Sequence, residues 1–154
     1  MEIKIKVTDA PEMVLLGVHL ALGVRAGQRL YFHGNLGTGK TTLISGILRG
    51  LGHEGSVKSP TYTLVEIYSV PGLQIFHFDL YRLNDPEELE FLGIRDYLQG
   101  PGICLVEWPE QGRGVLPPPD IDVFIQSVDD GRMVQFVTHT ESGAMLIRGL
   151  SDHP

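Results

Sequence analysis

The chain has 154 residues, 42% of them hydrophobic and 20% charged, with a formal net charge of −7. That length suits one hydrophobic core, and the balance of side chains excludes a disordered or fibrous protein. The acidic charge excludes a chain that grips nucleic acid strongly by itself, because neutralising phosphates takes a basic face.

The N-terminal "MEIKIKVTD" alternates polar and apolar residues, so "IKIKV" reads as a short strand and the segment lacks the pattern of a signal peptide. The following "TDAPEMVLLGVHLALG" reads as an amphipathic helix. Asp9 is its N-cap, Pro11 lies in the first turn, Glu12 stands three residues after the cap, and Val14, Leu15, Val18 and Leu22 form the apolar stripe. This stretch is too short and too often interrupted to span a bilayer, so no membrane segment is expected and a cytoplasmic location follows. "QRLYFH" (28–33) is a second strand that runs directly into the glycine-rich "HGNLGTGKTT" (33–42), and Lys40 to Leu51 reads as a helix stopped by Gly52.

Further along, "TYTLVEIYSV" and "LQIFHFDLY" read as neighbouring strands around a Pro71-Gly72 turn. "NDPEELEFLGIRDYLQG" starts a helix with Asn84 or Asp85 as cap and Pro86 at the first position, broken at Gly93. "GICLVEW" is a continuous apolar strand of the kind buried in parallel sheets, and its Cys104, the only cysteine, reads as a buried thiol without a disulfide partner. "DIDVFIQSV" and "RMVQFVTH" flank Asp129-Asp130-Gly131 and form a hairpin. Residues 150–154 are expected to fray. With no repeat and no long linker, the expectation is a single α/β domain over 1–154, a mainly parallel sheet flanked by helices with a C-terminal β-hairpin.

Gly34, Gly39, Lys40 and Thr41 satisfy G-x-x-x-x-G-K-S/T between a strand and a helix, the context a phosphate-binding loop requires. Gly34, Gly37 and Gly39 let the backbone curl so that N–H groups face inward, and the helix N-terminus adds partial positive charge. Lys40 then reaches the β and γ phosphates, and the Thr41 hydroxyl falls on magnesium. The bland alternative is a strand-to-helix turn that binds nothing. Two carboxylates end apolar strands, Asp79 after "LQIFHF" and Glu107 after "ICLV", and a parallel sheet brings both to the edge where the loop lies. Asp79 is assigned to magnesium, while Glu107 either joins the metal shell or orients and deprotonates the attacking water. Without a ligand, Asp79 would be a turn cap and Glu107 a surface ion pair. In "SPTYTLVEIY", Thr61 is either a switch hydroxyl toward magnesium or the γ-phosphate, or simply the strand entry behind Pro60.

Together, "GNLGTGKTTL", "VKSPTYTLVEIY", "FHFDLYRLNDPEELEFLGIRDYL" and "CLVEWPEQG" resemble the bacterial TsaE family, from about Arg29 to Leu116. The resemblance implies a P-loop NTPase-like fold and a magnesium-dependent ATP hydrolase of tRNA threonylcarbamoyladenosine synthesis. It implies TsaB and TsaD as partners, with TsaD transferring the threonylcarbamoyl group to adenosine 37, so that tRNA is met only through the partner complex. By position it implies that Gly34, Asn35, Leu36, Gly37, Thr38, Gly39, Lys40, Thr41 and Thr42 bind ATP, that Thr41, Asp79 and Glu107 serve the metal, and that Glu107, Asp79 and Lys40 serve catalysis. Trp108 follows from the same motif and either packs near the nucleotide, marks a partner or switch surface, or is plain core. His77, Tyr81 and Arg82 also match, with His77 and Tyr81 read as framework. Asn35 stands where the family has an acidic residue and Thr38 where it has alanine.

Adenine is preferred to guanine because N-K-x-D is absent and "LYR" follows Asp79 in place of D-x-x-G. Thr8 and Arg132 are the candidate base or ribose contacts, since they flank the ends of the domain where a pocket could close. A small-molecule kinase would need an arginine-bearing lid, whereas the arginines here are scattered singly. A module that merely reports nucleotide would not need two strand-end acids.

Overall fold

A computed structural model of the chain describes residues 1–150. Strands β1 (Glu2–Val7), β2 (Arg29–His33), β3 (Val65–Val70), β4 (Leu73–Asp79), β5 (Ile103–Glu107), β6 (Ile121–Val128) and β7 (Gly131–Thr138) form one sheet in the order β1-β7-β6-β2-β5-β4-β3. The four central strands, β6, β2, β5 and β4, are parallel, while β7, β1 and β3 pair antiparallel with their neighbours. The expected α/β sheet with its C-terminal hairpin is present, parallel at the centre and antiparallel at the edges. The β3–β4 and β6–β7 connections are too short for a crossover, so those strands can only reverse.

Every residue of β5 is buried, as the unbroken apolar run anticipates for a strand covered on both faces. Alternation then divides the core. Leu30, Phe32, Ile103 and Leu105 face helices α1 (Ala10–Ala21), α2 (Lys40–Gly50) and α5 (Glu141–Arg148). Tyr31, Phe78, Cys104 and Val106 face α3 (Glu87–Phe91) and α4 (Ile94–Gln99). Cys104 is the expected buried thiol: its Sγ donates to Tyr97 O at 3.3 Å, and burial pushes it up to about 12.

Helix α1 starts as its sequence indicates. The Asp9 side chain accepts from Glu12 N at 2.9 Å, and the Glu12 carboxylate accepts from Thr8 N at 2.8 Å. Its buried face, however, is Met13, Leu16, Gly17, Leu20 and Ala21, while Leu15 and Leu22, expected inside, are 50% and 75% exposed. The cause is a close crossing with α2. A Cβ at Gly17 would lie 2.4 Å from Leu43 O, and one at Gly46 would lie 2.2 Å from Val14 O. The helices meet backbone to backbone, so the contact stripe is centred on residues with no side chain, which an apolar count overlooks.

Other elements depart from expectation more mildly. β3 begins at Val65, because 61–63 forms a turn stabilised by Leu64 N donating to Pro60 O at 2.8 Å. The helix after Asn84 does break at Gly93, but it starts at Glu87 with Pro86 as its N-cap, one residue later than expected, and the Asp85 side chain accepts from Glu87 N at 3.0 Å just ahead of it. Helix α5 is unanticipated, since the sequence reading places no element between the hairpin and residue 150. Thr140 caps it by accepting from Gly143 N at 3.0 Å, and Gly143 allows the close approach to Asp120 O that a Cβ would block. Leu150, expected in a frayed tail, is instead packed in the α1/α2/α5 core; the remainder of that tail, 151–154, lies outside the described residues. Among the described residues no helix is long and apolar enough to cross a membrane.

Candidate active site

β2 lies between β6 and β5, and from its end the chain turns through 34–39 into α2. Gly37 and Gly39 take φ of +78° and +108°, conformations that side-chain-bearing residues rarely adopt. At the strand end, a Cβ on Gly34 would come within 2.8 Å of Ile125 O. The Thr38 hydroxyl donates to Asn35 O at 2.8 Å and closes the turn from inside, while Leu36 stands 64% exposed at the tip. The first α2 backbone bond runs from Leu43 N to Gly39 O, so the N–H groups of Lys40, Thr41 and Thr42 have no intrahelical acceptor. Free N–H groups at the positive end of a helix dipole make an anion cradle.

Asp79 and Glu107 end adjacent parallel strands in direct register, and both are almost fully buried. Thr41 Oγ1 donates to Glu107 Oε2 at 3.0 Å and Oε1 at 3.2 Å, and His77 Nε2 lies 2.7 Å from Oε2. Asp79 Oδ2 accepts from Thr61 Oγ1 at 3.0 Å and Ser59 Oγ at 3.3 Å, and its Oδ1 accepts from Tyr81 N at 3.0 Å. Thr41, Thr61, Asp79 and Glu107 therefore line one cleft of about 340 Å³ with Lys40 and Trp108. Asp79 does cap a turn as well, through Tyr81. Glu107 is not a surface ion pair but faces a buried histidine.

Lys40 is only 5% exposed and is occupied by its own protein: Nζ donates to Gly34 O and sits 3.6 Å from the centre of the Trp108 ring. Burial pulls the ammonium below the usual lysine value, while Glu107, Glu110 and Asp79 pull the other way. Trp108 follows Glu107 with φ of +57°, and the Tyr81 ring lies 4.9 Å from it between centroids. The tryptophan thus covers the loop lysine on one side while its body packs against the α3/α4 core.

A second cleft, about 210 Å³, opens on the other side of the loop between Thr8, Met13, Thr38, Thr42 and Arg132. Strand pairing explains the meeting of chain ends, since Val7 of β1 is opposite Arg132 of β7. Arg132 does more than line it: Nε donates to Thr38 O at 3.2 Å and Nη2 to Gly37 O at 3.3 Å, tying the hairpin to the loop. No sequence signal marks that tether, because it joins residues 94 and 95 positions apart.

The clefts share Gly37, Gly39 and Thr42, so they form two ends of one groove with the anion cradle between them. One end offers only hard oxygen donors, the Thr41 hydroxyl and the two carboxylates, which is the donor set for a small divalent cation of the magnesium type. The other is nearly uncharged apart from Asp9 and Arg132.

The family model described as "Threonylcarbamoyl adenosine biosynthesis protein TsaE" matches residues 7–134. The chain is similar to the tRNA threonylcarbamoyladenosine biosynthesis protein TsaE of Haemophilus influenzae, 51% identical over 139 residues that cover 90% of this chain and 85% of the relative. It is 34% identical to the Bacillus subtilis protein of the same name over 153 residues, 99% and 96% of the two chains. A solved structure described as YdiB of Bacillus subtilis superposes with a TM-score of 0.85 at 30% identity, covering 99% of this chain and 96% of the other.

Proposed function

The chain belongs to the TsaE family of threonylcarbamoyl adenosine biosynthesis proteins, and from that premise we propose that it is a magnesium-dependent ATPase sustaining modification of tRNA adenosine 37 together with TsaB and TsaD. The observation that carries the reading is the convergence of the loop, Lys40, Thr41, Asp79 and Glu107 on one cleft.

The N–H groups of the 34–42 backbone hold the phosphates. Lys40 exchanges Gly34 O and the Trp108 ring for β and γ phosphate oxygens, a trade its partial desolvation favours because a buried ammonium gains from a fully charged partner. Thr41 and Asp79 supply oxygen donors for magnesium, with Glu107 joining them directly or through a water. When bound, the ion neutralises charge building on the transferred phosphoryl group. Glu107 orients the attacking water and accepts its proton as the water oxygen bonds to the γ-phosphorus and the bond to the bridging oxygen breaks, giving ADP and phosphate. Thr61 and Ser59 hold Asp79 from the loop side, so the 59–64 segment is the natural place to register the γ-phosphate. Thr8 and Arg132 flank the base and ribose.

A net charge of −7 leaves tRNA recognition to the partners. The test is a modification assay containing this protein, TsaB, TsaD, tRNA and ATP. Glu107→Gln is expected to bind nucleotide and lose repeated turnover. Full turnover by Glu107→Gln, or ATP binding by Lys40→Ala equal to that of the parent, would end this reading.

A further inference from the structure

We infer that His77 is a positioning residue for the hydrolytic carboxylate: its Nε2–H fixes which oxygen of Glu107 is turned toward the cleft. The inference rests on the proposed hydrolytic role of Glu107 and adds a residue to it that touches neither nucleotide nor metal.

His77 stands two residues before Asp79 on β4, on the same strand face, and opposite Leu105 of β5, two residues before Glu107. It has no exposed surface, its Nε2 lies 2.7 Å from Glu107 Oε2, and its Nδ1 is buried with no hydrogen-bond partner among the described residues. Those facts fix the proton. An ionised carboxylate only accepts, so the short contact places the hydrogen on Nε2. A proton on Nδ1 would strand a donor in the interior, which costs more than leaving a lone pair there. The ring therefore carries its hydrogen on Nε2, and Nδ1 leads nowhere.

The consequence concerns Oε1. In this structure Thr41 Oγ1 donates to both Glu107 oxygens, 3.0 Å to Oε2 and 3.2 Å to Oε1, and alone would leave the carboxylate free to turn with it. Thr41 would hold a cation through its hydroxyl oxygen, and the aim of the hydroxyl would then follow that ion rather than the carboxylate. His77, held by the strand and remote from the cleft, keeps Oε2 occupied. Oε1 is then the oxygen that faces the water.

Two measurements test this. In nucleotide-free protein, long-range 1H–15N spectra of the histidine rings are expected to show His77 with the proton on Nε2; a proton on Nδ1 overturns the inference whatever the enzyme does. In single-turnover hydrolysis, His77→Phe keeps the ring volume and removes the donor. It is expected to lower the rate at least about tenfold, the scale of a lost hydrogen bond to a charged group, with nucleotide Kd within about twofold. His77→Gln, whose amide nitrogen replaces Nε2, is expected to recover most of the loss. Equal rates for His77→Phe and the parent, or equal defects in Phe and Gln forms that are both folded by circular dichroism, overturn the inference. Should Glu107→Gln hydrolyse ATP like the parent, the functional reading fails while the tautomer result stands, so the two failures are distinct.

Discussion

The Trp108 ring holds Lys40 in a contact that Nζ must give up to reach phosphate, so replacing the tryptophan with leucine should tighten nucleotide binding. The Nζ sits 3.6 Å from the ring centre on a side chain that is 5% exposed, so the contact belongs to the desolvated end of cation–π interactions, about 1–2 kcal/mol. That energy opposes transfer of Nζ to phosphate. Its removal should lower the Kd for ATP by about 5- to 30-fold, since each 1.4 kcal/mol is tenfold. Phenylalanine, a weaker cation–π partner, should fall between the parent and leucine. Isothermal titration calorimetry at fixed magnesium measures all three. Because Trp108 is the only tryptophan, its emission should also change when nucleotide draws Lys40 away. Weaker binding in both variants would refute the reasoning, because it would mean that the ring acts on the nucleotide rather than on Lys40.

Three further outcomes follow from contacts outside the carboxylate cleft. Arg132→Ala frees the Gly37 and Thr38 carbonyls and should weaken ATP binding about three- to tenfold, the scale of one or two neutral-acceptor hydrogen bonds; an unchanged Kd in the same titration would count against the tether. Gly46→Ala forces a methyl to within 2.2 Å of Val14 O and should cost about 1–3 kcal/mol, a fall in Tm of about 3–10 °C by calorimetry; an unchanged Tm would show that α1 and α2 are free to part. Asp122 is tied to His33 Nε2 at 2.6 Å and His139 Nε2 at 2.7 Å. Burial alone would raise its carboxyl, but the two histidines outweigh burial and hold it below the ordinary carboxylate value. A depressed folded value stabilises the protein above the unfolded one, about 3.9, and that contribution is lost as pH falls through the folded value. Asp122→Asn should therefore reduce stability at neutral pH and flatten the acid limb of a denaturation series; parallel curves would reject the link.

The phosphate loop was legible because its demands are local: glycines for the turn, a lysine and a hydroxyl at fixed spacing, an apolar strand before and a helix after. The carboxylates were legible for a similar reason, since strand-end acids in a parallel sheet share an edge, and the direct register of Asp79 with Glu107 is that rule realised. Contacts that depend on what is missing were not. Gly17 and Gly46 carry no apolar signal, so the buried face of α1 was misplaced by one residue, and Gly143 hid α5 for the same reason. His77 reads as a framework residue until its distance to Glu107 is known. Arg132 lines the second cleft with Thr8, but its grip on two loop carbonyls needed the β1–β7 register to become visible.

The backbone contact between α1 and α2 gives the groove walls of unequal stiffness. One wall is a single block: α1, beginning just after Thr8, and α2, beginning at Lys40, touch without intervening side chains and cannot slide without collision. The opposite wall is tied by side-chain bonds, Thr41 to Glu107 and Thr61 and Ser59 to Asp79, and by the backbone bonds Leu64 N to Pro60 O and Asp79 N to Leu64 O. The groove therefore joins a wall closed backbone to backbone to a wall closed largely by side chains, and Tyr62 stands 82% exposed on the segment that supplies the second.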